Sequence, residues 1–290
     1  MPGRIRKRFC FLRILAMFKQ RDAIIRLLKD DDPETIQLIK QQLVQGGAET
    51  IPDLRDLLSI DDERVTVHIR EILTEIENRH AKAAFEEICR SISSLSELEQ
   101  ACWYLAQIFL PGVEIELYKK TLDRWADELR GRLSPSDSES ARVAIMAQFF
   151  GRELGFRGNA DDYYSARNSL LPCVMDSRLG IPISLSVLYM IVAGRASVIV
   201  EGINLPGHFV VRHGAVLFDP FHEGRALTTR DCAEILSHQK LSLHPSHLQA
   251  AHPRLILIRI LANLVYIFEK DKNAPFHDMV SKWIRLLDPK

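Results

Sequence analysis

Two short runs of alternating apolar and polar residues flank a His-Gly dipeptide, and this pattern constrains the fold more than any other. Alternation with a period of two is typical of β-strands whose two faces have different surroundings. Glycine tolerates the positive φ angle of a tight hairpin, so His213-Gly214 is predicted to form a two-residue turn. With these two residues as the loop, His208 lies directly opposite Asp219 on one face of the hairpin. The other face is wholly apolar and is predicted to pack on the core; it consists of Phe209, Val211, Val216 and Phe218.

The predicted neighbours His208 and Asp219 make up the second half of a nucleophile–histidine–aspartate triad. In such a triad the carboxylate orients the imidazole, and the imidazole acts as base for the nucleophile. The same pair also occurs as a buried histidine that is satisfied by a carboxylate and does no chemistry. The two residues alone leave both interpretations open.

A triad would need its nucleophile at a helix N-terminus near the hairpin, where the partial positive charge lowers the pKa of a thiol. The helix start in this region is Gly180-Ile181-Pro182, which contains no cysteine. Ser184 is the hydroxyl in the first turn, and capping or packing of the helix start is its alternative role. Cys173 is the nearest thiol, although its apolar neighbours also predict a small buried side chain. Cys232 is predicted to be structural.

The first part of the chain has helical periodicity and contains an internal repeat. Leu27-Leu28 and Asp31-Asp32 recur thirty residues later as Leu57-Leu58 and Asp61-Asp62. Each unit is predicted to be a helix, an acidic turn and a second amphipathic helix, a pattern that resembles a pair of HEAT-like repeats. Two such repeats cannot bury a core alone, so we expect them to dock on another part of the chain.

These patterns divide the chain into five predicted segments and indicate a mostly helical α+β fold. The segments are a basic, disordered leader (1–22), HEAT-like repeats (23–80), a helical lead-in (81–155), a core of a helix packed on a small antiparallel sheet (156–235) and C-terminal helices (250–290). Arg13 interrupts the apolar stretch of the leader, which is too short to span a bilayer. A true start at Met17 would remove most of it.

Composition excludes several classes of function. Lys+Arg and Asp+Glu number 38 each, so no overall charge favours nucleic acid or acidic lipid. The five cysteines lie far apart and lack metal-ligand spacing, which argues for a reducing compartment and against a disulfide framework or a zinc site. We therefore predict a cytoplasmic protein with no cofactor, no metal site and no stable membrane insertion.

Four ordered motifs resemble the SirB-type branch of the transglutaminase-like superfamily, a bacterial group. They are residues 163–173, 180–189, 205–212 and 218–221. The resemblance covers roughly residues 81–290 and implies a papain-like core followed by tetratricopeptide-like helices. Active members of the superfamily have Gly-x-Cys at a helix start, then histidine on a strand and aspartate on the next. Here those positions fall on Pro182, His208 and Asp219, so the resemblance implies a site without its nucleophile.

Two hypotheses for function follow. In the first, the protein is a non-catalytic binding or regulatory protein with a protein or peptide partner, because helical-repeat surfaces generally serve recognition. In the second, it is a hydrolase or protease-like enzyme that uses Ser184 or Cys173 with His208 and Asp219. Three further residues are candidates for binding in the cleft. They are Pro182 at the helix start, Arg212, which could hold a carboxylate or be a solvated strand-end charge, and Asn168, which could donate a hydrogen bond or shape a turn.

Overall fold

The computed structural model describes residues 21–288. The predicted leader 1–22, with Met17, therefore lies almost wholly outside the described residues. The described chain divides between Ala83 and Ala84 into two units. No helix within residues 21–288 is long and apolar enough to cross a membrane.

The N-terminal unit has the helix, acidic turn and helix arrangement that the repeat predicts. Its helices are α1 (21–28), α2 (Pro33–Gln45), α3 (Ile51–Leu57) and the first part of α4 (Glu63–Ser91). Asp32 caps α2 by accepting hydrogen bonds from Glu34 and Thr35, and Asp62 accepts one from Val65 at the start of α4. The two caps lie thirty residues apart because each satisfies the free N–H groups of an equivalent helix. The assignment to the HEAT class stays a prediction.

The second unit combines helices with two small sheets. The helices after α4 are α5 (Leu95–Phe109), α6 (Ile115–Arg132), α7 (Glu139–Ala147), α8 (Leu171–Ser177), α9 (Pro182–Arg195), α10 (Thr229–Ser237), α11 (Pro253–Lys270) and α12 (Ala274–Leu287). The strands are β1 (Arg157–Gly158), β2 (Leu179–Gly180), β3 (Glu201–Ile203), β4 (Val210–His213), β5 (Val216–Asp219) and β6 (Arg225–Leu227). Strands β3 to β6 form an antiparallel sheet in chain order, and β1 pairs with β2 in parallel.

Helix α9 is the centre of this unit. Every residue from Pro182 to Ala193 is buried, as expected for a helix that is apolar on all sides. It contacts α5, α6, α8 and α11 and the strands β3 and β4. The predicted fold class is confirmed: the protein is α+β and mostly helical, with a helix packed on a small antiparallel sheet.

The hairpin of β4 and β5 forms, but its predicted register is wrong. His213 pairs with Val216, so the loop is Gly214-Ala215 and not His213-Gly214. Gly214 has φ 56°, and the N–H of Ala215 donates to the carboxylate of Glu139 at 2.9 Å. A Cβ on Gly214 would collide with that carboxylate. The positive φ explains why glycine takes the first loop position, because side chains with a Cβ rarely adopt it.

The sheet is buried on both faces, whereas the alternation predicts one buried face. The predicted apolar face lies in the core, with Phe209, Val211 and Phe218 fully buried and Val216 half-buried. Residues of the opposite face are also buried, in a second apolar cluster with residues of α10. Its buried members are Ile203, Leu205, Val210, Leu217, Leu227 and Cys232. Cys232 is thus a packed core residue, as predicted.

Candidate functional site

His208 and Asp219 meet at one end of the hairpin. Asp219 is the last residue of β5, and His208 lies two residues before β4 begins. Gly207, with φ 79°, turns the chain so that the N–H of His208 donates to the carbonyl of Leu205 at 3.0 Å. In the observed register His208 is not directly opposite Asp219. The predicted contact is present all the same, because the turn at Gly207 brings the imidazole over the end of β5.

The carboxylate of Asp219 is shared by two imidazoles. Its Oδ2 lies 2.8 Å from Nε2 of His208 and 2.7 Å from Nδ1 of His222. Its Oδ1 accepts a hydrogen bond from the N–H of Phe221 at 2.9 Å. The Asp219 side chain is 2% exposed, that of His208 13% and that of His222 60%. The site therefore has a buried anion, a half-buried imidazole and an imidazole open to solvent.

Asp219 remains ionised at neutral pH. Burial raises the pKa of its carboxyl, but the hydrogen bonds and charges of His208 and His222 outweigh that effect and hold the pKa below its ordinary value of 3.8. Among the described residues, its ion-pair partners are these two histidines and no lysine or arginine. The two imidazoles and the N–H of Phe221 therefore satisfy this buried group.

A tight turn after β5 holds Asp219 and His222 on the same side. Residues Pro220–His222 form a single 3₁₀ turn, in which side chains three positions apart overlap. The N–H of Gly224 closes the turn on the carbonyl of Asp219 at 2.8 Å. Gly224 has φ 78°, and a Cβ there would lie 2.8 Å from the Cα of Ala147. Only glycine fits this position without strain.

The hydroxyl of Tyr189 lies beneath this turn. Tyr189 is fully buried in α9, and its oxygen has no hydrogen-bond partner within the described chain. Burial raises the pKa of the phenol, and the nearby charges of Asp219 and Glu223 raise it further. The phenol is therefore neutral at any physiological pH. Its ring stacks on Phe150 with a centroid separation of 4.0 Å.

The predicted nucleophile Ser184 is not joined to the pair. Its hydroxyl accepts a hydrogen bond from the N–H of Ile181 and donates to the carbonyl of Ile181, both at 3.1 Å. The side chain is buried and secures the first turn of α9. Pro182 is the first residue of that helix and is also buried. The structure thus gives Ser184 the capping role that was its alternative.

The second candidate nucleophile, the thiol of Cys173, lies within α8. It is 5% exposed, and burial raises the pKa of its thiol, with the charge of Arg167 opposing this only in part. A raised pKa leaves less of the reactive thiolate at neutral pH. The cysteines of the described chain are free and buried; they are Cys89, Cys102, Cys173 and Cys232.

Asn168 and Arg212 are both engaged within the protein. The amide of Asn168 donates to the carbonyls of Asp162 and Tyr163 and accepts from Asn159, which shapes the loop before α8. The guanidinium of Arg212 donates to Glu201 at 2.7 and 3.0 Å and to the carbonyl of Leu248 at 3.0 Å. These contacts favour turn-making for Asn168 and an intramolecular ion pair for Arg212.

A continuous strip of aromatic rings leads away from the two histidines. The ring of Phe221 lies 6.0 Å from that of His208 and 6.2 Å from Tyr163, by centroids. Tyr163 then contacts Tyr164, which contacts Tyr266 at 5.3 Å. Tyr164 is 51% and Tyr266 50% exposed. We call these residues, from Phe221 to Tyr266, the aromatic strip.

Arg259 adds a cation to the loop that carries His208. Its Nη1 donates to the carbonyl of Leu205, the same oxygen that accepts from the N–H of His208, and to the side chain of Asn204. Burial lowers the pKa of Arg259 below its ordinary value, and no carboxylate of the described residues forms an ion pair with it. The guanidinium keeps its charge nonetheless.

Sequence reasoning missed His222, Tyr189 and Arg259. His222 had a detectable signal, because a histidine three residues after Asp219 overlaps it if the intervening residues form a 3₁₀ turn. Arg259 had none, since it reaches the site from a helix some fifty residues further along the chain. The sequence pattern around Tyr189 predicts only a core residue of an apolar helix.

These features together define a helix-on-sheet core with a histidine–aspartate pair at the end of its hairpin. A family model described as the transglutaminase-like superfamily matches residues 116–262, just over half of the chain. The chain belongs to the transglutaminase-like superfamily.

Its relatives include bacterial UPF0162 proteins. One from Xylella fastidiosa (strain 9a5c) is 33% identical over 188 residues, which are 60% of this chain and 67% of that protein. One from Pseudomonas aeruginosa is 33% identical over 57% of this chain and 62% of that protein. F-box only protein 21 of Homo sapiens is 32% identical over 60% of this chain but only 32% of its own length. No solved structure matches the chain significantly. The SirB-type assignment stays a prediction.

Proposed function

We propose that the protein is a non-catalytic binding protein, whose cleft keeps the His208–Asp219 pair but recognises a ligand instead of transferring an acyl group. The observation that carries this proposal is the start of α9. The resemblance implies that active members have cysteine at this position, which is Pro182 here. Both hydrogen bonds of Ser184 go to Ile181. An imidazole without a nucleophile in reach cannot begin acyl transfer.

The ligand is a protein or peptide segment that carries an apolar or aromatic side chain. The aromatic strip supports this, because half-exposed tyrosine rings offer large contact area at low entropic cost and keep a polar tip. The guanidinium of Arg259, beside the His208 loop, can meet a carboxylate of the same segment. A domain of this type also makes up only part of F-box only protein 21, which supports its use as a module within a larger protein.

The helical parts supply further recognition surface in this proposal. The N-terminal unit exposes apolar side chains, namely Leu27, Leu38 and Val67, on the helices that we predict to be HEAT-like. Helices α11 and α12 pack as a pair and are the predicted tetratricopeptide-like end. We place the protein in the cytoplasm, because free and buried cysteines suit a reducing compartment.

Reactivity tests the non-catalytic part of the proposal. The full chain is treated with a fluorophosphonate probe and with an iodoacetamide probe, alongside His208→Ala. We expect neither probe to mark the protein in a way that depends on His208. Labelling of Ser184 or Cys173 that disappears in His208→Ala would overturn the proposal and restore the hydrolase hypothesis.

Peptide selection tests the binding part. Peptides selected from a random library on the full chain are measured by fluorescence anisotropy against Tyr164→Ala and Tyr266→Ala. Leu117→Ala is the matched control, because Leu117 is 58% exposed on α6 and does not belong to the strip. Loss of affinity in the tyrosine variants alone supports the proposal. Equal affinity in all four proteins, or no selected peptide at all, contradicts it.

A further inference from the structure

Three side chains at the end of the hairpin have the composition of a metal centre. Nε2 of His208, Nδ1 of His222 and a carboxylate oxygen of Asp219 all lie within 4.8 Å of one another. We propose that these three residues bind one divalent transition-metal ion, with Zn²⁺ the best match among common ions. The inference goes beyond the proposed function and does not depend on it.

The donor set selects the class of metal. Two imidazole nitrogens and one carboxylate oxygen suit Zn²⁺, Ni²⁺, Co²⁺ or Fe²⁺, whereas Ca²⁺ and Mg²⁺ prefer all-oxygen surroundings. Three protein ligands leave at least one position open for water or a ligand group. The site is therefore of the open type and not a closed structural zinc site.

The distances leave room for an ion after a small adjustment. Two donors that each lie about 2.1 Å from a metal are roughly 3.0 to 3.4 Å apart at angles between a right angle and the tetrahedral value. The two nitrogen-to-oxygen separations are 2.8 Å for His208 and 2.7 Å for His222. Opening the cluster by a few tenths of an ångström is enough, and the exposed imidazole of His222 is free to make that movement.

The surroundings of Asp219 are arranged as they are around metal-bound carboxylates. The N–H of Phe221 holds Oδ1 at 2.9 Å, which orients the carboxylate and leaves Oδ2 facing the two nitrogens. The 3₁₀ turn fixes Asp219 and His222 three residues apart on one side. Each imidazole binds a metal in the neutral form with its proton on the other nitrogen. Those nitrogens, Nδ1 of His208 and Nε2 of His222, have no hydrogen-bond partner within residues 21–288, so in the metal-bound form water would accept from them.

A further observation favours an ion at this cluster. Asp219 is a buried carboxylate whose ion-pair partners among the described residues are the two imidazoles themselves and no lysine or arginine. Buried charges are normally paired or bound to metal, and an ion held by the same three side chains would compensate this charge.

Isothermal titration of the full chain with ZnCl₂ and, in parallel, with CoCl₂ tests the proposal. We expect one ion per chain and a d–d spectrum for Co²⁺ without a thiolate charge-transfer band. His222→Ala is the decisive variant, because its side chain is 60% exposed and its removal leaves Asp219 paired with His208. We expect its affinity to fall by more than about tenfold, since even outer-shell changes cost that much. Asp219→Asn and His208→Ala should have at least as large an effect, with folding checked by circular dichroism.

The control variants are histidines outside the cluster. His213, on the same hairpin, has its Nδ1 at 2.8 Å from the carbonyl of Ile199, and His247 packs near His244. We expect His213→Ala and His247→Ala to bind the ion as the unmodified chain does. No binding by the unmodified chain, an undiminished affinity in His222→Ala, or an equal loss in the control variants would each overturn the proposal. None of these outcomes depends on whether a peptide binds the aromatic strip.

Discussion

The hydroxyl of Ser184 is bonded to the backbone of Ile181 and not to the imidazole of His208. It accepts from the N–H and donates to the carbonyl of the same residue, each at 3.1 Å. This closed pair of hydrogen bonds secures the buried start of α9. It also explains why a hydroxyl at the right helix end does not complete a triad.

The first prediction concerns this cap. Ser184→Ala should lower the free energy of unfolding by about 1–2 kcal/mol, because it leaves the buried N–H of Ile181 without a partner. Ser186→Ala is the matched control on the same helix, since the buried hydroxyl of Ser186 has no hydrogen bond to lose. Urea denaturation measures both. An unchanged stability in Ser184→Ala, together with lost probe labelling, would indicate a catalytic serine instead.

The second prediction concerns the turn that carries His222. Gly224 and Gly155 both have positive φ angles, 78° and 77°, but a Cβ on Gly224 would press on Ala147 while a Cβ on Gly155 would meet nothing within 4 Å. Gly155→Ala should therefore cost about 1–2 kcal/mol of backbone strain. Gly224→Ala should cost roughly 1–3 kcal/mol more from overpacking. Thermal or urea unfolding compares the two, and equal costs would mean that the turn does not pack on α7 as described.

The third prediction concerns acid stability. Because the pKa of Asp219 is lower in the folded protein than its ordinary value of 3.8, its contribution to stability is present above that value and is lost as the pH falls through the folded pKa. Asp219→Asn should lower the free energy of unfolding by about 1–3 kcal/mol at neutral pH. The difference should shrink as the pH falls below 3.8.

Urea denaturation between about pH 3 and pH 7 checks this pH dependence. Asp161→Asn serves as the control, because Asp161 is exposed and lies outside the cluster. A constant difference between Asp219→Asn and the unmodified protein across that range would show that the charge of Asp219 is not what stabilises the fold.

The fourth prediction concerns the thiols. Burial raises the pKa of Cys89 and of Cys102 to about 12 from an ordinary 9.0, which lowers their thiolate fraction by about three orders of magnitude. Burial also raises the pKa of Cys173. Iodoacetamide at neutral pH should therefore modify these three residues far more slowly in the native chain than in guanidinium chloride. Peptide mass spectrometry resolves each site, and rapid native modification of Cys173 would contradict its buried position in α8.

Local sequence predicted a substantial part of the site. Alternation around the hairpin assigned each residue to its face correctly, because the side-chain period of a strand is a local property. Pro182 marked the start of α9, because its ring fixes φ and needs no N–H donor. The thirty-residue repeat predicted the acidic turns that contain Asp32 and Asp62. The same patterns predicted the contact between His208 and Asp219, although the two residues are not directly opposite each other in the observed register.

Tertiary structure decided what local patterns could not. The register depends on which residues form the loop; these are Gly214 and Ala215, and the N–H of Ala215 donates to Glu139 of α7. Burial of the second sheet face depends on α10, which follows the sheet in sequence.

The sequence by itself therefore determined the fold class, the faces of the hairpin and the absence of a cysteine at the start of α9. Only the structure decided that Ser184 caps α9 instead of joining the pair, buried the second face of the sheet under α10 and placed Arg259 beside the loop of His208. The physical reason is that periodicity and capping act within a few residues of the chain. The site, by contrast, is made by turns and helices that converge from separate parts of it.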